Sequence, residues 1–413
     1  MKRLLMYSQD GMGLGHLRRS LNVAEEVLAR NPKCNILILA DSPSASLFGF
    51  QAGIDVVKLP TIVKTGSASW RASDWENGTL TTRVQRIISL RTRLIVDIFR
   101  GFSPDAVLID HMPVGAMGEL KPLLDQAATR RKPPKIFLGL RDILDDPAVI
   151  RQVWTYLDAY EYLRLYDSVL IYGDRDIYDA TSAYKLTPDA GRVVYCNYVV
   201  SRSKIGSTQG PTQPFVLMMG GGGLDAFPLA NTFMKSLPAL NGRSGLRTII
   251  LTGPNMRASE RETLAVEAGS RVEIRTALGN PERWIEHASA VVTLGGYNSL
   301  CEVLKWQRKA LVVPRAGPSA EQRTRSQLFS QRGLIRMLDP ELLTAKHVAD
   351  ALRHVLDDDR IPMAANIPSL DGAERSASIL LDGLPHQAPE SDVEIASVEA
   401  DGRSSVGLVR QGA

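Results

Sequence analysis

The chain has 413 residues, enough for two ordinary domains, and its 44% hydrophobic and 23% charged residues are those of a globular protein. A net charge of +4 is mild for this length and points away from nucleic acid, though a phosphorylated substrate or an anionic membrane surface stays open. Cys34, Cys196 and Cys301 fall in no metal or disulfide pattern, the opening residues carry too short an apolar run for a signal peptide, and no stretch reaches the ~18 apolar residues of a membrane span. Buried free thiols and a cytoplasmic location are therefore expected.

Apolar runs alternate with helical periodicity through the first half. Residues 4–7 read as a strand and 17–30 as a helix with Leu17, Leu21, Ala24, Val27 and Leu28 on one face. Strands follow at 35–40, 54–59, 106–109, 135–140, 168–172 and 192–195. Residues 61–79 are polar and turn-rich, with Trp70 and Trp75. Residues 80–99 read as a helix whose apolar stripe (Val84, Ile87, Ile88, Leu94, Ile95, Ile98) runs beside Arg83, Arg86, Arg91 and Arg93. Such a helix either packs on the sheet or serves as a lid, an acceptor-binding segment or a peripheral membrane contact.

Residues 201–214, rich in Ser, Gly, Gln, Thr and Pro, read as a linker. Strands then recur at 215–219, 247–251, 272–275, 290–294 and 310–313, with a short one at 334–337, and helices close the pattern at 342–356 and 372–384. Continuous apolar runs of this kind suit parallel sheets covered on both faces. The division expected is 1–205, 206–385 and a disordered tail at 386–413.

Two glycine signatures stand out. Gly11-Met12-Gly13-Leu14-Gly15-His16 follows the first strand. Bare amides there can meet a ligand, and Asp41 at the end of the second strand imitates the acidic residue of a dinucleotide site. His16 argues for other chemistry, because an imidazole at a helix start beside a cleft can take a proton from a hydroxyl. Of Arg18 and Arg19 behind it, one is a candidate for an anionic group and at least one is expected to be solvent-exposed. Strands of a parallel sheet end on one edge, so Asp110, His111 and Arg141 should come near His16. Asp110 would orient the histidine or act as a base and His111 would bind a hydroxyl, with capping and turn formation the alternative for both; Arg141 is a candidate for an anionic substrate group.

The second half offers Gly220-Gly221-Gly222-Gly223, best explained as a loop whose amides face a diphosphate, and Gly253 at the next strand end, near a base. Gly295-Gly296-Tyr297-Asn298-Ser299 is the second signature. Asn298 and Ser299 are suited to capping the following helix and to binding phosphate, and Glu302 to accepting two ribose hydroxyls. Glu321 and Gln322 would read sugar hydroxyls, and Arg315 would meet the diphosphate in competition with Arg323 and Arg325. Neither a Walker lysine motif nor a histidine metal cluster is present in the sequence.

These residues resemble the GT-B glycosyltransferases, and most of all the branch containing MurG and related diacylglycerol glycosyltransferases. The family's phosphate loop matches Gly220 to Gly223, its ribose-binding segment Gly295 to Glu302, its acidic-Gln pair Glu321-Gln322, and its N-terminal glycine loop with histidine Gly11 to His16. The resemblance implies two Rossmann-like α/β domains facing across a cleft, a UDP-sugar on the C-terminal one (Gly221, Gly222, Gly223, Gly253, Gly295, Gly296, Asn298, Ser299, Glu302, Arg315, Glu321, Gln322) and an acceptor on the N-terminal one (Gly13, Gly15, His111, Arg141). It implies inverting transfer with His16 or Asp110 as base, no metal and no cofactor beyond the sugar nucleotide, to a small-molecule, glycan or lipid-linked acceptor. Gly13 to Arg19 also resembles the loop of a UDP-sugar hydrolase of the same fold, in which His16 would activate water. A UDP-sugar 2-epimerase and a non-catalytic nucleotide-sugar binder are the remaining alternatives.

Overall fold

The computed structural model describes residues 2–10, 13–66, 69–72, 80–186, 192–202, 213–240, 246–277, 281–317 and 319–383. Gly11, Met12, most of the expected linker and the expected tail lie outside them.

The N-terminal unit runs β1 (Arg3–Ser8), α1 (Gly15–Arg30), β2 (Asn35–Ala40), β3 (Ile54–Lys58), β4 (Ile62–Gly66), β5 (Ser69–Ala72), α2 (Leu80–Phe102), β6 (Ala106–Asp110), α3 (Lys121–Thr129), β7 (Lys135–Arg141), α4 (Pro147–Tyr156), α5 (Ala159–Tyr162), β8 (Ser168–Tyr172), α6 (Ala180–Ala183) and β9 (Arg192–Tyr195). Its seven-stranded parallel sheet has the order β3-β2-β1-β6-β7-β8-β9. The C-terminal unit runs β10 (Phe215–Met219), α7 (Phe227–Ser236), β11 (Arg247–Leu251), α8 (Ala258–Glu267), β12 (Val272–Arg275), α9 (Pro281–His287), β13 (Ala290–Thr293), α10 (Tyr297–Lys305), β14 (Ala310–Val312), α11 (Glu321–Gln331), β15 (Arg336–Met337), α12 (Ala345–Asp357) and α13 (Gly372–Asp382). Its six parallel strands have the order β12-β11-β10-β13-β14-β15.

Side chains alternate between faces, and both faces of each sheet are apolar. Leu4 and Met6 of β1 join one core cluster and Leu5 and Tyr7 the other, while β10 splits Leu217 and Met219 from Val216 and Met218 in the same way. In both units the order reverses beside the first strand, between β1 and β6 and between β10 and β13, which opens a crevice at the carboxyl ends of those strands. α13 returns to the N-terminal unit and packs on α1, with Ala377 and Leu380 buried.

The later part of the apolar stripe of helix α2 packs on the sheet, with Leu94 and Ile98 against its core. Ile95 and Phe99 are fully buried, and Arg91 turns inward to donate to the Tyr7 hydroxyl and Glu119 Oε1 (both 2.9 Å) and to Asp41 Oδ2 (3.2 Å). Arg91 is therefore no part of a membrane-facing surface, and Asp41 is a buried ion-pair partner instead of a ribose-holding acid. No helix of the described residues is long and apolar enough to cross a membrane. The polar stretch before α2 holds an antiparallel β4–β5 hairpin, unexpected because Lys64, Thr65, Ser69 and Arg71 interrupt its apolar pattern. All three cysteines are buried and unpaired by disulfides.

Candidate active site

The two sheets meet across a cavity of about 360 Å³, lined on one wall by Gln9, Asp10, Gly13 to His16, Arg19, His111 and Arg141. The facing wall is Gly220, Gly222 to Asp225, Leu294, Gly296 to Asn298, Arg315, Ser319, Glu321 and Gln322. The volume suits a small ligand held between domains.

On the N-terminal wall, α1 begins at Gly15, and its leading amides are taken by a side chain from before the loop. Asp10 Oδ1 accepts from the His16 N–H (3.0 Å), and Oδ2 accepts from the Leu17 N–H. This is the helix-dipole attraction for an anion, satisfied from within the chain. It fixes the backbone that carries His16. The imidazole Nδ1 lies 2.5 Å from Asp110 Oδ2 at the end of β6. Burial opposes the Asp110 charge, but Arg19 and His16 overcome it and hold the carboxyl below the usual range. With Asp110 ionised, Nδ1 carries the proton, and Nε2 is the ring nitrogen left to accept one. His111 follows with φ of +74°, a conformation rare outside glycine, and its ring centroid lies 4.8 Å from that of His16.

On the C-terminal wall the Gly220 and Gly223 N–H groups donate to the Leu251 and Gly220 carbonyls (2.8 and 2.9 Å). Gly223 (φ +100°) and Gly253 (φ +84°) are so closely packed that a Cβ on Gly253 would sit 2.6 Å from Gly223 N. Gly295 has φ of +81°, with Ser326 Oγ 2.6 Å from where a Cβ would stand. Among the described residues no side chain caps α7 or α10, so Asn298 and Ser299 do not perform the capping expected of them; the N-cap of α10 is Gly296. The amides of the first turn of α10 are thus left for a ligand. Arg315 lines this wall and pairs with Asp225 (3.1 Å).

Several expected residues serve the junction between the units. Asn298 Nδ2 donates to the Gly15 carbonyl (3.0 Å), and Glu302 is buried against Arg18 (2.7 Å), outside the cavity lining. Arg141 reaches Glu321 (2.7 Å), and Arg325 holds Asp142 through two bonds of 2.8 and 2.6 Å while also meeting Glu321 (3.1 Å). Burial opposes the Glu321 charge, yet Arg141, Arg325 and Arg315 pull its carboxyl down to about 2. Gln322 accepts from the Arg315 N–H (3.2 Å). Arg325 is fully buried in this network, and Arg323 pairs with Asp339 and Glu341, which leaves Arg315 as the cavity-lining member of the three. Arg18 and Arg19 are both ion-paired, contrary to the expected exposure of one of them.

Gly13, Gly15, His16, His111 and Arg141 line one wall, and Gly222, Gly223, Gly296, Asn298, Arg315, Glu321 and Gln322 the other; Asp110 stands behind His16. Gly221, Gly253, Gly295, Ser299 and Glu302 lie outside the lining. The residue that sequence reasoning missed is Asp10, although an acid directly before a glycine loop and a helix was visible.

Residues 215–377 match the glycosyltransferase family 28 C-terminal domain. No curated protein matches the chain. Among solved structures, the glycotransferase of kitacinnamycin is similar at a TM-score of 0.63 and 16% identity, over 93% of this chain and 99% of that one. MurG of Acinetobacter baumannii is similar at 0.58 and 14%, over 92% and 100%. UGT2 of Phytolacca americana, in complex with UDP-2-fluoro-glucose and pterostilbene, is similar at 0.59 and 13%, over 92% and 94%. At these identities the likeness is one of fold, and it is the GT-B fold of two parallel-sheet α/β domains. The chain is thus an enzyme of the glycosyltransferase class, with a glycosyltransferase family 28 C-terminal domain over residues 215–377.

Proposed function

We propose that the chain moves a sugar from a nucleoside diphosphate sugar, a UDP-sugar first of all, to an acceptor hydroxyl, with inversion and without a metal. The observation that carries the reading is the His16–Asp110 pair at 2.5 Å, set across one cavity from a wall of uncapped amides. The UDP-sugar bound by the Phytolacca americana protein of similar fold supports the choice of donor.

Asp110 holds the His16 Nδ1–H, and Nε2 takes the proton of the acceptor hydroxyl as its oxygen forms a bond to the anomeric carbon. The bond from that carbon to the diphosphate breaks in the same displacement. The charge that develops on the diphosphate falls on the Gly222 amide, the first turn of α10 and Arg315. A single displacement inverts the carbon. A double displacement would need a free carboxylate, and the carboxylates lining the cavity are engaged: Asp10 by two amides, Asp225 by Arg315, and Glu321 by two arginines. In the same way, Arg18, Arg19 and Arg141 on the acceptor side each face a carboxylate. With Asp10 on the helix start as well, the acceptor side favours a hydroxyl compound without a neighbouring phosphate, whether small molecule, glycan or neutral lipid.

The test is incubation with a panel of nucleotide sugars, with and without neutral hydroxyl acceptors, following nucleotide release and the anomer formed. The reading expects acceptor-dependent release and an inverted product. Equal release of free sugar without acceptor, or a retained anomer, contradicts it.

A further inference from the structure

Arg19 has no part in the transfer scheme, yet it is among the largest fully buried side chains of the chain. Its Nη2 lies 2.7 and 2.8 Å from the two oxygens of Asp110 and 2.9 Å from His16 Nδ1. Nδ1 already gives its proton to Asp110, so it cannot accept from Arg19. The guanidinium bonds to the carboxylate, and its positive charge faces the ring. Its slot has one wall from each unit: the guanidinium carbon is 5.4 Å from the ring centroid of Tyr172 on β8 and 5.5 Å from that of Tyr297 on α10. The Tyr297 hydroxyl is fixed in turn by accepting from the Val199 N–H (2.9 Å).

We propose that Arg19 is a positioning residue for the His16 base: it shares Asp110 with the histidine, so the carboxylate can orient the ring while most of its charge is cancelled, and Tyr297 of the donor wall completes the slot that holds it. The inference rests on the reading of His16 as the base. An uncompensated carboxylate 2.5 Å from Nδ1 would favour the imidazolium, which cannot take a proton. A neutral partner in place of Asp110 would hold the Nδ1–H less firmly than a carboxylate does. A carboxylate carrying its own cation avoids both.

The groups facing His16 are few. Asp110 and His111 come from β6 and the loop after it, Asp10 accepts from the His16 backbone, and Arg18 on α1 is held by Glu302 of α10. Arg141 at the end of β7 lines the same cavity and is bound to Glu321. Arg19 is the cation in direct contact with the pair.

The experiment is an NMR titration of the His16 ring in the intact protein without substrate, the signal being assigned by its loss in His16→Gln. In Arg19→Gln the protonation midpoint should rise by about one to two pH units, since a unit charge a few ångströms away is removed. Arg19→Lys, which keeps the cation but not the fork, should rise less. Should Arg19→Gln fail to fold, Tyr297→Leu opens the slot without removing charge and should move the midpoint upward by a smaller amount. Where transfer is measured, the acid limb of its kcat/KM profile should move in step. An unmoved or lowered midpoint in a folded Arg19 variant overturns the proposal. The titration needs neither donor nor acceptor, so it judges Arg19 even if transfer itself is not observed.

Discussion

At α1 the leading amides are occupied by the carboxylate of Asp10, whereas at α10 the helix starts from Gly296 with no side chain on its amides. Both junctions follow a strand, a glycine loop and a helix, and both stand where the order of a parallel sheet reverses. The difference lies in what fills the positive end of the helix. A carboxylate from the chain turns the first junction into a rigid mount for His16. The same place left open suits the second to receive an anion. A glycine-rich loop therefore does not report a phosphate site until its helix start is shown to be free.

The contrast can be broken from either side. The largest effect is expected at the mount itself: His16→Ala should lower turnover by about 10²- to 10⁴-fold while calorimetry shows unchanged UDP affinity. A parallel loss of UDP affinity would place His16 on the donor side instead. Next comes Gly295→Ala, which forces a Cβ against Ser326 and Val312 at a φ of +81°. It should destabilise the fold by about 1–3 kcal/mol in chemical denaturation and weaken UDP binding, with the His16 titration untouched. Glu302→Gln should weaken UDP about tenfold if the carboxylate leaves Arg18 for the ribose on binding; equal affinity would confine Glu302 to the junction. Asp10→Ala should lower stability by about 1 kcal/mol, as loss of a cap does, without strengthening diphosphate binding at the donor wall.

A last prediction concerns acid. The Glu321 carboxyl titrates at about 2 in the folded chain, below its ordinary value, so its links to Arg141 and Arg325 contribute stability above the ordinary carboxylate range. That contribution is lost as pH falls toward 2. Thermal melts from pH 5 to pH 2 should show a steeper decline in the wild type than in Glu321→Gln. Identical slopes would mean that the junction does not depend on this charge.

Much of this was legible in the sequence. The strands were, because continuous apolar runs between turn residues leave little choice of length: 35–40, 168–172, 192–195, 215–219, 247–251 and 272–275 have the bounds expected. So was the meeting of His16 with Asp110, since parallel strands deliver their ends to one edge. What could not be read was the set of partners chosen by closure of the two units. Arg18 and Arg19 are neighbours in sequence but about 100° apart around a helix, so one meets Glu302 and the other Asp110. Glu302 and Glu321 carry the right chemistry for a sugar nucleotide, yet arginines from the opposite unit hold both. Asp10 escaped notice because it reaches the helix from across the loop, beyond the spacing of an ordinary N-cap.

The division of labour between the two junctions is tested most directly by a structure with a UDP-sugar bound. The diphosphate should sit on the amides of Gly222 and the first turn of α10, beside Arg315, with the anomeric carbon turned toward His16 Nε2 and Asp10 still on the His16 and Leu17 amides. A diphosphate seated on the α1 side, with Asp10 displaced, would contradict it.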